Sequence, residues 1–178
     1  MLVAGPELRD LIDTGVINAL PQNINGASID IRLGTEVYIE DPDRGHTIDL
    51  EAKQAPSMIR YEMPEEGLII NPGEFFLAHT IEEFNLPDTI SADFMLRSSV
   101  ARAGLEHLHA GWADPGFHGA QLTLEFKNMC QYNRLRLKPG MRIGQLRFFR
   151  HGHAGEFSYR IKGRYNHQRG VQETQGTK

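Results

Sequence analysis

The chain is poor in cysteine and tryptophan and has no surplus of positive charge, and each shortage removes a class of protein. Of its 178 residues one is a cysteine, Cys130, so no disulfide framework can form within the chain and a thiolate-built zinc site is not expected. No apolar run approaches the roughly 18 residues that a membrane helix needs, and mean hydropathy is −0.41. The first residues, Met1-Leu2-Val3-Ala4-Gly5-Pro6-Glu7, lack the basic segment and apolar core of a secretory leader, which makes the cytoplasm the expected compartment. Lysine and arginine total 19 against 23 acids, a net charge of −4. That is the wrong sign for a protein that grips nucleic-acid polymers by counterion release. Dinucleotide, P-loop and G-x-S-x-G fingerprints are missing. The eight histidines show no H-E-x-x-H pair, and one cysteine cannot supply the P-C-x-x-C of the zinc deaminases.

What remains is a chain with 40% hydrophobic residues, enough to bury the core of a single domain over residues 1–178. Leu8, Leu11 and Ile12 come after Pro6 at helical spacing, and the pattern stops at Gly15. Beyond it the chain reads as strands. Ile29, Ile31 and Leu33 alternate with Ser28, Asp30 and Arg32 up to Gly34, and the pattern resumes at 37–39. Apolar runs at 68–70 and 75–77 flank the turn Asn71-Pro72-Gly73, and others lie at 90–96, 122–126, 135–137 and 143–149. Segments 41–45 and 52–64 read as exposed excursions, and 172–178 as a polar terminus that moves unless a ligand orders it. Short strands punctuated by glycine and proline, with one or two short helices, predict an all-β, distorted barrel or jelly-roll-like fold.

Three constellations can carry chemistry. Arg97-Ser98-Ser99-Val100-Ala101-Arg102 comes after an apolar strand and opens a short helical pattern, so its hydroxyls and guanidiniums suit an anion, or else the serines cap the helix and the arginines are solvated. In Gln121-Leu122-Thr123-Leu124-Glu125-Phe126 period two puts Gln121, Thr123 and Glu125 on one face. That face meets either water or a pocket, and in a pocket Glu125 could shuttle protons. Between them, Ala110-Gly111-Trp112-Ala113-Asp114-Pro115-Gly116-Phe117 is a hairpin whose glycines allow close backbone approach, with one acid able to accept a sugar hydroxyl. Arg160, Lys162, Arg164 and Arg169 make the terminal segment basic.

Taken with Ile24-Asn25-Gly26-Ala27-Ser28-Ile29-Asp30 near the start, Pro139-Gly140-Met141-Arg142-Ile143-Gly144-Gln145 and Arg164-Tyr165-Asn166-His167-Gln168-Arg169-Gly170, these segments stand in the order in which they occur in the dCTP deaminase family. The chain resembles that branch of the trimeric dUTPase-like superfamily over most of its length. The resemblance implies zinc-independent deamination of dCTP to dUTP and ammonia. The alternatives are a bifunctional enzyme that continues to dUMP and pyrophosphate, or a non-catalytic nucleotide-binding relative. It assigns proton transfer to Glu125, ordering of the site to Ser98 and Arg102, and a hold on the attacking water to the Ala110 carbonyl. Arg97, Ser99 and Gln145 match phosphate contacts, and Asp114 the acid that meets the 3′-hydroxyl. Arg164, Gln168 and, more loosely, Tyr159 match a flexible lid over 159–178. Magnesium arrives on the triphosphate, no protein-held metal is implied, and the partners are dCTP or dUTP and two further copies in a homotrimer with sites between subunits. His109 and the pair Trp112-Ala113 depart from the family pattern at the wall that meets the base, so a modified cytosine enters as an expected variation.

Overall fold

The alternating segment that begins at Ile29 becomes the longest strand, and the rest of the sheet is laid on its two edges. The computed structural model describes residues 1–176. Helix α1 (Pro6–Asp13) has proline in its first turn, where no amide donor is missed, and turns Leu8 and Leu11 inward. Strands β1 (Ile29–Glu40), β2 (Met58–Glu62), β3 (Leu68–Ile70), β4 (Phe75–Asn85) and β5 (Ile90–Leu96) lead to helix α2 (Ser98–Ala101). Strands β6 (Leu105–His107), β7 (Trp112–Ala113), β8 (His118–Asn128), β9 (Leu135–Leu137) and β10 (Arg142–Arg150) come next, and helix α3 (Tyr159–Lys162) lies in the C-terminal arm.

The main sheet runs β6-β8-β4-β1-β10-β5-β7, with β2 added to β1 and a separate β3-β9 pair. Its pairings are antiparallel. It curls around one core in which Phe76, Phe84, Phe126 and Phe148 are the largest fully buried side chains. The expected all-β class is found, with three short α-helices among the described residues where one or two are expected.

Gly34 does not end its strand, as the sequence suggests. β1 continues through it with a shift of register between Leu33 and Val37, because a Cβ there would lie 2.1 Å from the buried His79 ring. The glycine makes room for an imidazole rather than a turn. Asp30, on the face that alternation assigns to solvent, is 2% exposed. It takes hydrogen bonds from Asn25 Nδ2 (2.9 Å) and Arg142 Nη1 (3.1 Å), with Arg97 Nε at 3.6 Å. β2 lies inside the stretch read as an excursion. It shows almost no burial, so it carries no alternation to read and is held by its ladder to β1.

A break in the β4–β8 ladder falls between His79 and Glu83. Thr80 Oγ1 bridges it, donating to the Glu82 carbonyl at 2.7 Å and accepting from the Leu122 amide at 3.0 Å. Beside it Glu82, fully buried, receives the Arg32 amide at 2.9 Å and Arg32 Nε at 2.8 Å. Removing one member of a buried ion pair leaves the other charge uncompensated. Glu82→Ala should therefore lower unfolding free energy by about 3 kcal/mol in urea titrations at fixed protein concentration; a loss under about 1 kcal/mol would mean that Arg32 relaxes into water.

Candidate active site

β8 turns its apolar residues Leu122, Leu124 and Phe126 into the core and its polar alternates outward. There, between the 110–117 hairpin, the 55–58 excursion and the C-terminal arm, a cavity of about 460 Å³ opens. Glu125, paired across the ladder with Leu77, lies in its wall with 28% of its side chain exposed. Its Oε2 is buried and has no hydrogen-bond partner among the described residues. The nearest basic group is His107 Nε2 at 3.6 Å, also unpartnered. That imidazole is fixed edge-on between Phe94 and Phe126, with ring centroids at 4.8 and 5.5 Å. The buried Oε2 faces that imidazole, and the exposed remainder of the Glu125 side chain meets the cavity.

The hairpin approaches from the other side. Gly111 closes it onto β5, its carbonyl accepting from the Phe94 amide at 2.9 Å, and a Cβ would lie 2.7 Å from the Phe94 carbonyl. The close approach that glycine allows here is to the protein's own backbone. Ala110 and Asp114 line the cavity, and Asp114 Oδ1 accepts from Trp112 Nε1 at 2.9 Å. The indole packs on Phe149 at 6.1 Å, so Trp112 orients the acid. Tyr159 forms a further wall, edge-on to Phe117 at 5.7 Å. Burial pushes its phenol above the ordinary value, which keeps it neutral and able to donate.

The arm lies along the outer face of β8. The Gln121 amide donates to the Gln168 carbonyl at 3.1 Å, its carbonyl accepts from Gln168 Nε2, and its Oε1 accepts from the Gly170 amide at 2.8 Å. Thr123 Oγ1 accepts from the Gln172 amide at 3.0 Å, Glu36 Oε1 accepts from the Val171 amide at 2.8 Å, and Arg169 pairs with Glu83. Of the three polar alternates, Gln121 and Thr123 hold the arm while Glu125 lies in the cavity wall. Gln168 reaches the cavity, whereas Arg164 stays outside its lining, with Nη1 donating to the Gly176 carbonyl at 2.8 Å and the guanidinium 5.9 Å from the ring centre of the lining residue Tyr165. Residues 177 and 178 of the expected lid lie outside the described residues.

The remaining expected residues form a second group that does not line this cavity. Ser98, Ser99 and Arg102 are exposed on α2 or at its end, and the helix N-cap is Arg97 and not a serine. Arg97 turns toward Asp30. Gln145 Oε1 accepts from Ser28 Oγ at 3.0 Å. Sequence reasoning passes over His107, the excursion residues Ala55 and Met58, and Gln172 and Thr174 of the arm, all of which face Glu125 or its cavity. His107 has the one available signal, period-two spacing from Leu105.

Among the described residues no group of three or more His, Cys, Asp or Glu side chains could hold a metal ion, and no helix is long and apolar enough to cross a membrane. Residues 2–151 match the family model described as dCTP deaminase-like. The chain is 38% identical over 179 aligned residues to a "dCTP deaminase, dUMP-forming" of Streptomyces griseus, with 96% of this chain and 92% of that one covered. It is likewise 38% identical to a protein of that name from Sulfurihydrogenibium, with 96% and 94% covered. A solved 2′-deoxycytidine 5′-triphosphate deaminase from Agrobacterium tumefaciens shares the fold with a TM-score of 0.66 at 17% identity. That likeness covers 83% of this chain and 47% of the Agrobacterium chain. On the family model and on relatives aligned almost end to end, the chain belongs to the dCTP deaminase family.

Proposed function

We propose that this protein deaminates dCTP at C4 of the cytosine and then cleaves the triphosphate, giving dUMP and pyrophosphate. The observation that carries the reading is Glu125, partly exposed in the wall of a cavity that also holds Asp114, with the His107 imidazole 3.6 Å behind its Oε2. The names of the relatives favour the dUMP-forming course over release of dUTP. In the first step Glu125 takes a proton from water as the water oxygen bonds to C4 and passes it to N3, then takes the proton of the new C4 hydroxyl and passes it to the departing amine. The C4–N bond breaks, and one water has replaced one ammonia. The Ala110 carbonyl, at the cavity rim, would hold the attacking water. In the second step a further water cleaves the bridge between the α- and β-phosphates. Asp114 serves that step through Oδ2, its other oxygen being taken by Trp112.

Ser98 and Arg102 join the reading through a second copy of the chain. Both are exposed and outside the cavity, so a neighbour's α2 would bring them to Glu125 in a homotrimer. Arg97, Ser99 and Gln145 would come with them to the triphosphate, which carries its own magnesium. The arm, with Tyr159, Arg164 and Gln168, would serve as the lid.

Purified protein given dCTP and magnesium should release ammonia, dUMP and pyrophosphate in equal amounts. Accumulating dUTP would select the monofunctional course, and binding without ammonia the non-catalytic one. Glu125→Gln should cut ammonia release by at least about 100-fold with dCTP affinity within about threefold; near-normal turnover would remove Glu125 from the mechanism. Co-refolding E125Q with R102Q in equal amounts should restore about a quarter of wild-type activity. In a three-fold ring with shared sites, that is the fraction that pairs an intact glutamate with an intact arginine. No recovery would place both residues in one chain's site.

A further inference from the structure

We propose that Asp88 is a positioning residue for this cavity. It fastens the root of the C-terminal arm and thereby sets Tyr159 in the cavity wall. The inference rests on the proposed nucleotide chemistry and adds to it a residue that does not line the cavity.

Asp88 lies in the turn between β4 and β5. Its Oδ1 accepts from Ser158 Oγ at 2.6 Å, and Ser158 is 1% exposed. The same hydroxyl accepts from the Arg160 amide at 3.2 Å and so caps α3. The Asp88 carbonyl accepts from the Ala154 amide at 2.9 Å. One residue beyond Ser158, the Tyr159 amide donates to the Pro115 carbonyl at 2.9 Å. The arm is thus stitched to Asp88 on one side and to the hairpin carrying Asp114 on the other.

The joint is closely packed. At Gly116, with φ +88°, a Cβ would lie 2.3 Å from Ser158 Oγ and 3.0 Å from Asp88 Oδ1. The next stretch of the arm hangs from Tyr159, whose carbonyl accepts from Asn166 Nδ2 at 2.8 Å and whose hydroxyl accepts from the Tyr165 amide at 3.3 Å. A hydrogen bond to a carboxylate is about twice as strong as a neutral one, so the Asp88–Ser158 bond is the strong member of the joint. His153 Nε2, 3.5 Å from Oδ2 and 66% exposed, adds little to it.

The test uses the full-length protein as D88A, D88N, S158A and the double variant D88A/S158A. Steady-state ammonia release from magnesium dCTP gives KM and kcat, trypsin cleavage after Arg160 and Lys162 without nucleotide reports release of the arm, and the thermal midpoint reports the body of the fold. D88A and S158A should each raise KM about tenfold, the loss of one charge-assisted hydrogen bond, with kcat within about twofold. The double variant should be no worse than S158A, because D88A removes a bond that S158A has already removed along with the α3 cap. D88N, whose carboxamide oxygen still accepts, should raise KM about threefold. Trypsin should cut the arm faster in D88A at nearly the wild-type midpoint. Should D88A fail to fold, D88N and S158A carry the same KM-against-kcat split. An unchanged KM, a fall confined to kcat, D88N as damaging as D88A, or additive effects in the double variant would overturn the proposal. If the wild-type protein releases no ammonia, the dCTP reading fails by itself; the cleavage rate then decides the joint, and no acceleration in D88A overturns it.

Discussion

The register of β8 is the constraint on which the cavity depends. Side chains alternate with period two, so a slip of one residue would turn Leu122, Leu124 and Phe126 outward and drive Gln121, Thr123 and Glu125 into the core. The slip is resisted from both sides. Apolar alternates pack against Phe76 and Phe94, with the Phe76 and Phe126 rings 5.3 Å apart. Where the ladder to β4 breaks, Thr80 supplies the acceptor that the Leu122 amide would otherwise lack. Glu125 is thereby held at a fixed place on a sheet rather than on a loop, which suits a group that must meet a reacting atom to within fractions of an ångström.

Much of this arrangement is legible in the sequence, and the reasons are physical. The faces of β8 can be read from alternation and the inward stripe of α1 from helical spacing, because burial on one face writes a periodic pattern into the chain, while β5 is legible only as an apolar run. The turns at Gly73 and Gly140 have positive φ, as glycine after proline suggests. Gly34 misleads because a glycine that admits a distant imidazole looks the same in sequence as one that ends a strand. β2 leaves no pattern because it buries almost nothing. His107 is hidden for a different reason: its partner lies 18 residues on, across a strand pairing that no local signal encodes.

Charge is distributed as an acidic chain with local phosphate business would need. Arg97 and Arg142 share Asp30, a carboxylate 2% exposed, so the cluster holds one net positive charge and its guanidiniums are oriented before any anion arrives. Such pre-organisation lowers the entropic cost of binding, while the carboxylate that supplies it also competes with the anion. A polyanion with several charges wins that competition more readily than a monoanion. In the proposed reaction the arrangement would favour a triphosphate without requiring a basic protein.

The arm and the cavity are linked through the same strand. Gln121 and Thr123 commit their side chains to the arm's backbone amides, and Gln168 to the carbonyl of Gln121. These bonds depend on the outward face of β8, and so does the position of Glu125. Loosening the arm would expose its backbone donors to water at little cost, because Gln121 and Thr123 can be solvated equally well. The surroundings of Glu125 Oε2 are set instead by His107, across the pairing of β6 with β8. The alternation of one strand thus gives Gln121 and Thr123 to the arm and the next polar residue to the cavity wall, so loosening the arm would leave Glu125 where the β4–β8 ladder puts it.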